Sequence, residues 1–98
     1  MTNNSQIEKR AMTPDHVREV IESTIHKVAI DFEVGPLQLR DDTILLECGL
    51  DSMAFATVVV ILEEEFGEDP FLASDSAFYP TTLLEFSEFY INYFAGTQ

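Results

Sequence analysis

Apolar residues return along this chain in three stretches at helical spacing, separated by polar and turn-forming segments. In the first stretch Val17, Ile21, Ile25, Val28 and Phe32 follow one another at steps of three or four, which predicts one apolar face of a helix. Thr13-Pro14-Asp15 marks its start, with Thr13 as N-cap and Pro14 at the first helical position. Gly35-Pro36 is the expected stop. A connection from about Val34 to Leu50 follows. Its Leu37, Leu39, Ile44, Leu45 and Leu50 predict that it packs across the helices.

The second stretch runs from Asp51 to Phe66, with Gly67 as its stop. Val58-Val59-Val60-Ile61 alone reads as a strand. The cap before it and Glu63-Glu64-Glu65 after it favour a helix of about four turns. Phe55, Val59, Leu62 and Phe66 are the expected core face, and Met53, Ala56 and Val60 a second apolar face leading to Glu63 and Glu64. A short helical turn is expected over Ala73 to Phe78. The last helix follows Tyr79-Pro80-Thr81-Thr82, with Thr81 or Thr82 as cap, and Leu83, Phe86, Tyr90 and Tyr93 as its stripe, widened by Phe89 and Phe94.

Residues 1–12 read as a polar tail, 13–95 as one domain and 96–98 as a short C-terminal tail. The longest apolar runs are too short to span a bilayer, and the polar start carries no secretory pattern, so a cytoplasmic monomer is expected. Charge sharpens this picture. Eighteen acids oppose five bases, and from Asp41 onward there are twelve acids and no Lys or Arg. Such a surface repels nucleic acid and attracts basic patches on partner proteins.

Few residues offer chemistry. Cys48 is the one cysteine, without an adjacent cation to activate it, and reads as a small buried hydrophobe. His16 and His26 lie ten residues apart on different faces of the first helix and make no metal pair. Ser52 has no base beside it in the sequence, and Leu50 and Ala54 replace the glycines of a hydrolase elbow. At a helix N-terminus, however, a phosphodiester on Ser52 would meet free N–H groups and the positive end of the helix dipole. An Asp-Ser pair alone would signify no more than a cap.

Gly49-Leu50-Asp51-Ser52-Met53, followed by Ile61-Leu62-Glu63-Glu64-Glu65-Phe66 and preceded by Asp42, resembles the acyl and peptidyl carrier proteins over residues 14–94. The resemblance implies an all-α, four-helix bundle of three long helices and one short one, with a long loop between the first and second. It implies that a phosphopantetheinyl transferase moves 4'-phosphopantetheine from coenzyme A to Ser52, with Asp51 helping that enzyme and its metal. The arm would then carry acyl or aminoacyl thioesters. Partners would be a loading ligase and a downstream transferase with basic docking patches, meeting Met53, Ala56, Val60, Glu63 and Glu64. Ala54 and Thr57 stand where fatty-acid carriers typically have acids, which points to a specialised lipid, polyketide or aminoacyl-transfer pathway. A small acidic helical adaptor without a prosthetic group is the alternative.

Overall fold

The computed structural model describes residues 13–73 and 80–95. Among these residues four helices are formed: α1 (Pro14–Asp31), α2 (Ser52–Phe66), α3 (Pro70–Ala73) and α4 (Leu83–Ala95), with a 3₁₀ turn at Leu45–Glu47 in the long α1–α2 loop. No strand occurs among the described residues. This is the four-helix bundle with three long helices and one short one.

Thr13 caps α1 by accepting the His16 N–H, and Pro14 fills the first helical position, whose N–H would find no helical partner. Val17, Ile21, Ile25 and Val28 are buried, joined by Thr24 and Ala29. Phe32 departs from the expected face: it is the C-cap and is 40% exposed. The helix ends a turn earlier than Gly35-Pro36 suggests. Glu33 takes the left-handed φ of 62°, its N–H donating to Ile30 O, while Val34 N–H donates to Ala29 O at 2.7 Å. This is a Schellman closure built on a glutamate, so no glycine announced it.

The loop is pinned near its middle, to α1 on one side and to the entry of α4 on the other. Arg18 Nη2 donates to Asp41 Oδ1 at 2.7 Å and the same guanidinium holds Glu22, tying the loop to α1. Leu45 N–H donates to Thr81 O, while Leu83 N–H donates to Thr43 O and Leu84 N–H to Asp41 O. With the isolated antiparallel bridge between Ile44 and Thr82, these bonds fasten the loop to the entry of α4. Leu45 and Leu50 are buried and Leu37 and Leu39 pack against the core. Ile44 instead stays 39% exposed, its backbone having found the partner.

On α2 the buried positions are Ala54, Val58, Leu62 and Phe66, rotated from the expected Phe55–Val59–Leu62–Phe66. Phe55 and Val59 are half-buried beside this face. The helix is apolar over so much of its circumference that periodicity alone does not choose between neighbouring stripes. Gly67, with φ of 84°, closes it by donating to Glu63 O. The short helix begins at Pro70, ahead of the expected turn, most of which (residues 74–78) lies outside the described residues.

Thr82 caps α4. Leu83, Phe86 and Tyr90 are buried, and Phe89 and Phe94 pack against the core as expected. Phe66, Phe71, Phe86 and Tyr90 form one aromatic cluster with centroid separations between 5.0 and 6.1 Å. Tyr93 leaves the stripe: its hydroxyl donates to Glu68 Oε1 at 2.6 Å, at the surface. The tails at 1–12 and 96–98 lie outside the described residues.

Candidate functional site

The Gly49–Met53 segment is held by its first two residues and open at the rest. Gly49 adopts φ of 117°, a conformation favouring glycine, and a Cβ there would sit 2.9 Å from Val34 Cγ1. Leu50 is buried and anchors the chain just before α2. Asp51 is the N-cap: its Oδ1 accepts the Ala54 N–H at 2.9 Å, and its carbonyl accepts the Phe55 N–H at 3.0 Å. Ser52 is then the first residue of the helix, exposed to solvent. The N–H groups of Ser52 and Met53 have no partner among the described residues and stay available as donors to an anion at that end.

A hydroxyl so placed suits the role of acceptor. It is accessible, it sits at the positive end of a 15-residue helix, and the carboxylate beside it is oriented by the cap. A phosphodiester on it would lie where the local field favours negative charge. The residues present therefore fit a phosphopantetheine group.

From Ser52 an exposed apolar strip runs along α2. Met53 is 69% and Val60 53% exposed, with Ala56 exposed between them and Glu63 and Glu64 exposed beyond. The structure thus brings the five predicted docking residues onto adjoining parts of one helix. Beside the strip opens an apolar groove of about 500 Å³, whose lining includes Leu46, Phe55, Val59, Phe71 and Pro80. Sequence reasoning missed this groove: Phe55 and Val59 were expected in the core, while Leu46 and Phe71 lie outside α2. The signal available was the surplus of apolar positions on α2, more than one buried face can use.

The remaining candidates are peripheral. Cys48 is half-buried, and its thiol donates to Leu45 O at 3.2 Å. His16 and His26 are half-buried on α1, and no group of three or more His, Cys, Asp or Glu able to hold a metal occurs among the described residues. No helix among them is long and apolar enough to cross a membrane.

An all-helical bundle with an exposed serine at a capped helix start is compatible with a carrier of covalently attached groups. The family of the phosphopantetheine attachment site matches residues 17–74, more than half of the chain, and the protein belongs to that family. It is a carrier, the substrate of phosphopantetheinylation and not its catalyst. No curated protein and no solved structure matches the chain.

Proposed function

We propose that Ser52 is the residue that receives the 4'-phosphopantetheine arm, and that the arm carries acyl or aminoacyl groups as thioesters between the enzymes of a specialised lipid, polyketide or aminoacyl-transfer pathway. The observation that carries this reading is the exposed hydroxyl of Ser52 at the first position of α2, inside a family match that spans it. The arm supplies the thiol that forms the thioester; the protein supplies its address and orientation.

The residues of this chain divide the work. Asp51 fixes the start of α2, and so the direction in which the Ser52 hydroxyl projects, while its carboxylate faces the approaching transferase and its metal. Met53, Ala56 and Val60 offer apolar contact to a partner, and Glu63 and Glu64 steer basic patches towards it. Ala54 is buried and takes no part in docking, but the absence of an acid at half-buried Thr57 keeps the strip apolar and supports a dedicated loading ligase and downstream transferase.

Mass spectrometry tests the assignment. With coenzyme A, magnesium and a broad-specificity phosphopantetheinyl transferase, the wild-type chain should gain one arm and Ser52→Ala none. Modification that survives in Ser52→Ala would place the arm elsewhere and overturn it.

A further inference from the structure

Ser52 does not project from a bare helix end. Val34 Cγ1 would lie 2.9 Å from a Cβ on Gly49, so the chain just past α1 packs against the backbone three positions before the serine. The other end of the pair agrees: His16, Glu19 and Val20 of α1 share a cleft with Ile61, Glu64 and Glu65 of α2, so the two helices run antiparallel. The end of α1 and the start of α2 therefore share one end of the molecule.

That end gathers exposed apolar side chains. Along α1, Val17, Ile21, Ile25 and Val28 are buried and Val20 is half-buried. Then, within five residues, Ile30 is 63% exposed, Phe32 40% and Val34 36%. The helix closure keeps the three within about one turn, since Glu33 N–H donates to Ile30 O and Val34 N–H to Ala29 O. Scattered apolar residues are ordinary on a surface, whereas a group of them at one place marks a site of contact.

We propose that Ile30, Phe32 and Val34 form a docking surface for the phosphopantetheinyl transferase, separate from the strip on α2 that meets the later partners. This rests on Ser52 being the attachment residue. Among the enzymes proposed to meet this chain, the transferase alone must bring a phosphorus atom to the serine oxygen. The others meet a thiol at the far end of the arm. The footprint of the transferase is therefore centred on Ser52. An interface of ordinary size takes about 800 Å² from each partner, equivalent to a disc of about 16 Å radius. Three residues of chain span at most about 11 Å, so Gly49 and the Val34 side chain against it fall inside that disc. The strip on α2 leads away from Ser52 along the helix. The end of α1 supplies apolar contact on another side, and an apolar patch on the transferase would bury it.

The full-length chain would be incubated with coenzyme A, magnesium and a broad-specificity phosphopantetheinyl transferase, and initial rates of mass gain measured over a range of carrier concentrations. In Ile30→Gln/Phe32→Gln, KM should rise at least fivefold while kcat changes by less than twofold, the signature of lost binding without lost chemistry. Ile30→Leu/Phe32→Leu keeps the surface apolar and should stay within twofold of wild type in both. So should Leu84→Gln, at a site as exposed as Phe32 (37% against 40%). If the double Gln variant fails to fold, Ile30→Gln alone should still raise KM at least twofold. An unchanged KM in the Gln variants, a loss confined to kcat, or an equal rise in Leu84→Gln would overturn the proposal. Ser52→Ala, run beside them, separates the two assignments. No mass gain there, with wild-type KM in the Gln variants, would remove the docking surface and leave the attachment residue standing. Mass gain there would overturn the attachment reading, and the docking surface with it.

Discussion

Gly49 and Val34 are in contact so close that no side chain fits between them: a Cβ on Gly49 would lie 2.9 Å from Val34 Cγ1, and the backbone there has φ of 117°. The start of the long loop and its end are thereby pressed together immediately before the attachment motif. Gly49→Ala should cost about 1–3 kcal/mol, from backbone conformation and crowding together. Urea denaturation of the two proteins checks this. An unchanged midpoint would mean that the loop relaxes freely there.

Asp51 combines two roles that one substitution separates. Asp51→Ala removes the acceptor for Ala54 N–H and should destabilise by about 1 kcal/mol. Asp51→Asn retains a good cap and should keep most of that stability, since Asn and Asp cap almost equally. If the carboxylate assists the transferase, Asp51→Asn should nevertheless be modified more slowly than wild type under limiting enzyme. Equal rates would assign Asp51 to the cap alone.

The buried and exposed apolar sides of α2 should respond oppositely to truncation. Val58 is fully buried, so Val58→Ala should cost about 1.5–3 kcal/mol. Val60 is 53% exposed, so Val60→Ala should stay within about 0.5 kcal/mol of wild type while slowing loading by the cognate enzyme. Thermal unfolding and a loading assay on the same samples provide both readouts.

Tyr90 is fully buried, and its hydroxyl has no hydrogen-bond partner among the described residues. Burial, reinforced by the charges of Asp69 and Glu63, raises its pKa above the ordinary tyrosine value. The native state therefore holds this proton more tightly than the unfolded chain does. Its contribution to stability is complete below about pH 10, the unfolded value, and is lost as pH rises from there towards the folded one. Tyr90→Phe should remove that alkaline loss. It should also raise stability near neutrality by about 1 kcal/mol, because an unpartnered buried hydroxyl disappears. Denaturation midpoints between pH 7 and 11 test both parts.

Glu33 occupies the left-handed position that closes α1, with φ of 62°. Glu33→Gly should stabilise by about 1 kcal/mol, the steric cost of that conformation for a residue with a Cβ. The thermal midpoint should rise; a fall would show that the glutamate side chain earns its place through contacts.

The same residue shows where sequence reading reached its limit. Helix starts were legible because Thr13-Pro14, Asp51 and Thr82 use side chains suited to capping, and Gly67 marked the end of α2 openly. The end of α1 was not, because its closure uses a residue type that carries no such signal. The Gly49 turn and the Asp51 cap could be read directly, since their geometry is local to a few residues. The groove beside the α2 strip could not, because Leu46, Phe55 and Phe71 come together only through the loop and the short helix. Nor does periodicity report that Glu64 and Glu65 share a cleft with Glu19.

The backbone bonds joining Thr43 and Leu45 to Leu83 and Thr81 carry a consequence for the order of events on the ribosome. Most contacts within a helical chain are between near neighbours and form quickly, but these link residues about forty positions apart and require a long loop to close first. When Ser52 leaves the exit tunnel, α2 can form behind its cap, yet the loop before it lacks its backbone partners at the entry of α4 until Thr81 to Leu84 have followed. A transferase meeting the nascent chain in that interval would find the serine on a helix whose approach is still unset. The backbone bonds that fix the loop ahead of Ser52 thus await residues some thirty positions downstream of it.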